Sequence, residues 1–291
     1  MTKKGANSLK LFKQFFGYFF NKVTPEHANA SSSTIDNWFN SHAHEAVEQI
    51  KSDLISINSN EIPSFTMILD FGCGDGIMLA SLANKLNVIG HGVDFTLVDK
   101  KSLKHIFSNN NSELNTDSIN FYTLDKFNFK PAYDLVLSWS VIEHVLDLNK
   151  YFDEAIKLLK SNGLLYLQTW PLWNSSQGHH LFDVGLNAFE HIEFTDELKL
   201  FTHIERIKDN PAYGWSNLEI DFDNWKKAAK DSYKSCNRIT IDEIQSCIEK
   251  YSLRLLFFKP YFEDANFNLI PFGNKWKDFA ISGGRWILQK I

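Results

Sequence analysis

The chain has 291 residues, a formal net charge of −5, and a composition that is 44% hydrophobic and 22% charged. These values exclude a disordered or fibrous chain, and the acidic balance makes no case for nucleic acid as a partner. Three scattered cysteines, Cys73, Cys236 and Cys247, form neither a C-x-x-C pair nor a disulfide framework, which points to a reducing, cytoplasmic setting. Near the N-terminus, "LKLFKQFFGYFF" puts Phe12, Phe15, Phe16, Phe19 and Phe20 at helical spacing, an apolar face to be packed on the protein. Lys10, Lys13 and Gln14 interrupt the apolar core that a secretory signal needs. The lysines flanking residues 9–22 equip that segment for weak contact with a membrane surface, but no run approaches the ~20 apolar residues that span a bilayer.

After "SSST", Thr34 or Asp36 can cap a second helix carrying Trp38, Phe39, Ala43, Val47 and Ile50. Polar residues 56–61 and Pro63 end it, so residues 1–64 read as an N-terminal helical cap. From Phe65 the pattern alternates. "FTMILDFG", "NVIGHGVDF", "INFYTL", "YDLVLSWS" and "GLLYLQTW" read as five strands, and "GIMLASLANKL", "KKSLKHIFSNN" and "LNKYFDEAIKLLK" as helices between them, the last ended by Ser161-Asn162-Gly163. Such alternation predicts a mostly parallel α/β sheet with helices on both faces. Residues 171–237 break the pattern: they are aromatic, polar and irregular apart from a helix around 195–207, and read as an insertion after strand five. "TIDEIQSCIEKY", "LRLLFFKPYF" and "GGRWILQKI" then restore a helix and two strands, so that residues 65–291 form one domain with a seven-stranded sheet.

The first strand runs into three glycines at alternate positions, Asp70-x-Gly72-x-Gly74-x-Gly76. Glycines at a strand-to-helix turn let backbone approach a ligand at the carboxyl edge of a parallel sheet. A P-loop would close on Gly-Lys-Ser/Thr, but Ile77 and Met78 follow Gly76. A dinucleotide loop would need glycine at position 77, which rules against a nicotinamide-dependent reductase. The observed spacing resembles the first motif of class I S-adenosylmethionine-dependent methyltransferases. Asp94 in "HGVDFT" and the segment from "YDLVLSWSVIEHV" to "GLLYLQT" extend the resemblance over residues 65–170, within the subgroup that carries "EHV" after strand four.

That resemblance implies a Rossmann-like sheet, S-adenosylmethionine as cofactor, and a set of contacts. Asp70 and the backbone of Gly72, Cys73 and Gly74 would hold the methionine part, and Asp94 the ribose hydroxyls. Thr123, Leu124 and Asp125 would border the adenine. Ser138, Trp139 and Ser140 would form the floor beneath the sulfonium. Asp99 competes with Asp94 if the second strand runs through "FTLVD".

Glu143 and His144 follow strand four, where an imidazole can take a proton near neutral pH or the pair can simply cap a turn. His179 and His180 leave strand five in "WNSSQGHH", with His191 beyond them and Asp183, Glu190 and Glu193 nearby, and they are the candidates for touching an acceptor. Their spacing matches no metal-ligand pattern, so no metal is expected. Trp170, Trp173, Trp215 and Trp225 read as core or as the walls of an apolar or sugar-binding cleft. The expected activity is methyl transfer to an oxygen of a small-molecule, lipid or saccharide acceptor, with His144, His179 and His180 as candidate catalytic groups. The alternative is a non-catalytic S-adenosylmethionine-binding or regulatory protein of the same fold.

Overall fold

The computed structural model of the chain describes residues 38–127, 130, 132–179, 186–194, 196–207, 222–262 and 280–291. The aromatic segment 9–22, the candidate caps Thr34 and Asp36, and His180, Asp183 and Trp215 lie outside the described residues. Strands β1 (Met67–Phe71), β2 (Ile89–Asp94), β3 (Ile119–Thr123), β4 (Tyr133–Trp139), β5 (Leu159–Thr169), β6 (Arg254–Phe262) and β7 (Ile281–Gln289) form one sheet, ordered β3-β2-β1-β4-β5-β7-β6. The first five are parallel, and β7 runs antiparallel between β5 and β6. This is the mostly parallel sheet with helices on both faces that the strand-helix alternation predicts, in the Rossmann-like arrangement that the resemblance implies. Its strand order reverses between β1 and β4, which opens a crevice at their carboxyl ends.

Among the described residues the α-helices are α1 (Ala46–Ser56), α2 (Ile77–Leu86), α3 (Lys100–Asn109), α4 (Leu148–Leu158), α5 (Glu190–Glu193), α6 (Glu197–Arg206), α7 (Phe222–Ser235) and α8 (Ile241–Lys250), and a π-helical stretch, Asn40–Glu45, leads from helical Trp38 and Phe39 straight into α1 as one N-terminal helix. Successive residues of β1 and β4 point into two different cores, which is why both strands are apolar almost throughout. Leu69, Phe71 and Val136 pack with Tyr151 and Phe152 of α4 and Ile244 and Ile248 of α8. Ile68, Leu135 and Leu137 pack with Val47, Ile50 and Leu54 of α1 and Leu79 and Leu82 of α2. The helix starts have local causes. Asp99 accepts from the backbone N–H of Lys101 and Ser102 at the head of α3, Asp147 accepts from Lys150 N at the head of α4, and Thr240 with Glu243 forms a reciprocal capping box on α8.

Two boundaries depart from the sequence reading. Helix α4 stops at Leu158, and residues 160–163 are already part of β5, because Ala132 N donates to Leu158 O and Asn162 N to Lys290 O, drawing this stretch into pairing. Residues 222–235, expected to be irregular, are helix α7; the same segment buries Tyr233 against Leu200 and Ile204 of α6, so tertiary packing supplies what the polar sequence hides.

A buried ion pair ties the N-terminal helix to the far side of the sheet. Arg285 of β7 donates through Nε to Asp53 Oδ2 (2.6 Å) and through Nη2 to Asp53 Oδ1 (3.2 Å). Tyr166 of β5 donates to the same carboxylate at 2.8 Å, Gln49 of α1 at 3.0 Å, and Arg285 Nη1 reaches the Tyr261 hydroxyl of β6 at 3.1 Å. Removing one partner leaves a buried charge unmatched, which costs about 3–5 kcal/mol. Arg285→Met should therefore lower the urea midpoint by an amount corresponding to that loss, and Asp53→Leu combined with Arg285→Met should recover most of it. A midpoint unchanged in the single variant would show that the pair contributes nothing.

Candidate active site

The crevice is built first from the turn between β1 and α2. Gly72, Gly74 and Gly76 all have positive φ, at 97°, 53° and 79°. Two are required by the protein's own packing: a Cβ on Gly72 would lie 2.5 Å from Val141 Cγ2, and one on Gly76 would lie 2.6 Å from the Phe121 ring. A Cβ on Gly74 would meet nothing within 4 Å. It would project into open space, so Gly74 leaves room for a ligand.

Hydrogen bonds fix this loop to the end of β2. Gly72 N and Cys73 N donate to Val93 O at 2.9 and 3.2 Å, and Gly74 N donates to Asp94 Oδ2 at 2.8 Å. Asp94 Oδ1 accepts from Phe95 N at 2.6 Å. Asp94 is 4% exposed, and burial pushes its carboxyl up to about 6 despite these N–H donors. Each carboxylate oxygen keeps acceptor capacity for a further donor. Asp99, the rival for this role, spends its carboxylate on the N-terminus of α3 and on Ser102 Oγ, facing solvent.

Asp70 closes β1 and is 1% exposed; its Oδ1 has no protein partner. Burial, reinforced by Asp94 and Asp75, pushes it up to about 8. Cys73 is buried too, and burial pushes its thiol well above the ordinary range, so it is no nucleophile. Thr123 pairs with Asp94 in the β2–β3 register, and its Oγ1 is buried without a partner; Leu124 is buried beside it, and Asp125 is exposed. Ser138 is fully buried, and its hydroxyl faces the buried Tyr151 hydroxyl of α4, the pair having no other hydrogen-bond partner. Trp139 stacks on Tyr166 at 6.3 Å. Ser140 adopts φ 53°, held there by Gln168, whose Oε1 accepts from both Ser140 N (3.0 Å) and Oγ (2.9 Å). Such a conformation in a non-glycine residue is strained and persists only where its surroundings enforce it.

Beyond β4, Glu143 and His144 lie in a single 3-10 turn, Ile142–His144. Glu143 is 2% exposed and accepts from Thr169 Oγ1 at 2.9 Å; burial pushes it up to about 8. His144 is buried beside it. Past β5, His179 and His191 are both buried with ring centroids 4.9 Å apart. His191 Nε2 lies 2.9 Å from Trp173 O, and since a carbonyl only accepts, that nitrogen carries the proton. Desolvation lowers His191 to about 4 and keeps it neutral. Glu190 bonds Asn187 N and His203 rather than joining the imidazoles. Among the described residues no group of three His, Cys, Asp or Glu side chains is arranged to hold a metal ion.

Several participants carry no sequence signal. Trp38 Nε1 donates to Asp75 Oδ2 at 2.7 Å, so the N-terminal helix reaches the glycine loop. Tyr151, Gln168 and Thr169 sit in ordinary helix and strand patterns. Asn237 lies nearly a hundred residues from the turn it touches.

A family model described as "Methyltransferase domain" matches residues 39–256. The chain is 26% identical over 211 residues to a ubiquinone biosynthesis O-methyltransferase of Rickettsia prowazekii, covering 70% of this chain and 77% of that one. It is 30% identical over 110 residues to the enzyme of the same name from Bartonella tribocorum, covering 36% of this chain but only 43% of that protein's length. Among solved structures, the plantazolicin methyltransferase BpumL in complex with SAH superposes with a TM-score of 0.51 at 13% identity, over 99% of this chain and 100% of that one. That last likeness is one of fold.

The residues present fit S-adenosylmethionine. Open space at Gly74, the unpartnered Asp70 Oδ1 and Thr123 Oγ1, and the partly spent Asp94 carboxylate gather at the carboxyl ends of β1, β2 and β3. Asp70, Asp75 and Asp94 lie around the loop, and among the described residues none of them is in a salt bridge, which suits a ligand carrying sulfonium and ammonium charge. Asp94→Ala should weaken S-adenosylmethionine binding by about 1.5–3 kcal/mol, and Asp99→Ala should leave it unchanged; calorimetry giving the reverse would reassign the ribose contact. Gly74→Val should keep a folded circular dichroism spectrum yet lose binding. Because Asp70 and Asp94 take up protons on folding, the ligand-free protein should lose stability as pH rises from their unfolded value near 3.8 through about 6 and about 8. A cationic ligand favours the ionised carboxylates, so the thermal stabilisation by S-adenosylmethionine should grow over that window; a pH-independent shift would contradict the electrostatic account.

Proposed function

Because this chain belongs to the methyltransferase-domain family and S-adenosylmethionine is its cofactor, we propose that it transfers a methyl group to an oxygen of a small-molecule or lipid-type acceptor. The observation that carries this reading is the juxtaposition of an open-faced glycine loop tied to Asp94 with the Glu143–His144 turn at the end of the neighbouring β4. The oxygen acceptor is supported by the relatives' name, in particular the one aligned over 70% of this chain.

The cofactor supplies an electrophilic methyl on sulfur. The protein's contribution is then positioning and charge control. Asp94 would hold the ribose, Thr123, Leu124 and Asp125 the adenine side, and Asp70 with the backbone of residues 72–74 the methionine side. Ser138, Trp139 and Ser140 would line the floor, with Gln168 locking Ser140 in place. His144 would take the acceptor's hydroxyl proton as oxygen attacks, while buried Glu143 anchors the turn to β5. Residues 1–64 would act as the cap on the cofactor side, through Trp38 and Asp75, and the insertion 171–237, carrying His179 and His180, would select the acceptor.

The test is turnover with methyl-labelled S-adenosylmethionine over phenolic, lipid and saccharide alcohols, with the product's methyl located by mass spectrometry and NMR. A new methoxy group is expected. Methyl found only on nitrogen or carbon, or tight cofactor binding with no turnover on any hydroxyl acceptor, would overturn the reading. His144→Ala should cut turnover by about 10²–10⁴-fold with S-adenosylmethionine affinity near wild type; an undiminished rate would move the base to His179 or His180.

A further inference from the structure

Residues 171–237 return to the sheet domain through a short stretch that touches the Glu143–His144 turn directly. Asn237 N donates to Glu143 O at 2.9 Å. Its side-chain amide donates to Val145 O at 2.7 Å and also to Ile142 O, and its Oδ1 accepts from Ile239 N at 3.0 Å. Every donor of Asn237 and its side-chain oxygen are thereby used. Ile142 O also accepts from Val145 N at 3.2 Å within the turn, whereas Glu143 O and Val145 O lie at its end, where a one-turn 3-10 helix has no further N–H to offer, and in a buried setting an unmet carbonyl carries a desolvation cost.

The same stretch is stitched to the segment leaving β5. Trp173 N donates to Ile239 O at 2.9 Å, and Glu143 is already bonded to Thr169. Between the two anchors Arg238 takes φ 57°, and its guanidinium lies 4.9 Å over Trp173 and 5.6 Å over Tyr233, with Nη2 3.3 Å from the Tyr233 hydroxyl. Tyr233 belongs to the apolar cluster of the insertion, with Leu200 and Ile204. Contacts thus run unbroken from the packing of the insertion, through Arg238 and Asn237, to the turn that presents His144.

We propose that Asn237 is a positioning residue for methyl transfer: it holds the Glu143–His144 turn in register with the methyl site and makes that register depend on the packing of α6 against α7. This rests on the O-methyltransferase reading for its kinetics but not for its geometry. Aspartate is nearly isosteric with asparagine yet turns the amide donors into oxygens facing the Ile142 and Val145 carbonyls, so it inverts the contact without opening a cavity. Glutamine keeps the donors on a longer arm.

Asn237→Asp and Asn237→Gln are compared with wild type and with Ile119→Ala, which loses buried packing at the amino end of β3, on the other side of the sheet order from the turn. The expected result for Asn237→Asp is S-adenosylmethionine affinity within about twofold of wild type, acceptor KM little changed and kcat at least tenfold lower, with Asn237→Gln recovering part of the rate and Ile119→Ala keeping a wild-type kcat below its melting temperature. Independently of any acceptor, the His144 imidazole NMR signals should move and titrate differently in Asn237→Asp but not in Ile119→Ala. Unchanged His144 signals would overturn the proposal, as would a kcat loss matched by Ile119→Ala or a parallel collapse of cofactor affinity. If the wild-type protein methylates no hydroxyl, the O-methyl reading fails while the NMR comparison still decides this one.

Discussion

The backbone N–H of Gly74 pointing at the Asp94 carboxylate is the contact from which the rest of the site follows. It requires the loop after β1 to turn left-handed three times, and it requires β2 to end level with β1, which their parallel register arranges by setting Asp70 beside Gly92. Once made, it places an acidic group at the bottom of a crevice with open space on the ligand side of Gly74. The same bond stabilises the ionised form of Asp94 against the cost of its burial, so the loop and the charge it needs support each other.

An acidic crevice is costly without its ligand. Asp70, Asp75 and Asp94 stand close together with their charges unmatched by any salt bridge among the described residues, and Glu143 is buried further along the same edge. Protons can offset part of that cost in the ligand-free protein; a cationic ligand would offset it on binding. A buried polar brace lies elsewhere in the fold. Asp53, Arg285, Tyr166 and Tyr261 join the first described helix to three strands of the opposite half of the sheet, and Ser81 Oγ adds a bond to Ala43 O at 2.5 Å. Trp38, at the start of that same helix, meets Asp75 of the loop, so a rigid element links the brace to the cofactor side.

The side proposed for the acceptor is assembled differently. Three segments that leave or re-enter the sheet are laid against one another at residues 142–145, 169–173 and 237–239. Each supplies groups that another segment satisfies. Under the proposed function, a half-site made this way would change its specificity through the insertion while the cofactor half stayed as it is, the division of labour expected of loops on a rigid sheet.

The fold and the candidate cofactor site were legible in the sequence because their determinants are local. Gly72, Gly74 and Gly76 report a backbone conformation, Asp94 sits at a fixed point in a strand, and alternation of apolar strands with amphipathic helices reports a two-faced parallel sheet. What only the tertiary structure decided were relations between distant residues. Asp94 and Asp99 are both acids near the end of one strand, and only folding shows that Asp99 is consumed by the N-terminus of α3. Nothing in "SCNRIT" marks Asn237 as the partner of a turn nearly a hundred positions earlier, and nothing in "KSDLIS" marks Asp53 as the partner of Arg285. A side-chain amide or carboxylate in a polar stretch looks the same whether it faces solvent or a buried carbonyl, because hydrogen-bond partnership depends on proximity in space, which a one-dimensional pattern does not encode.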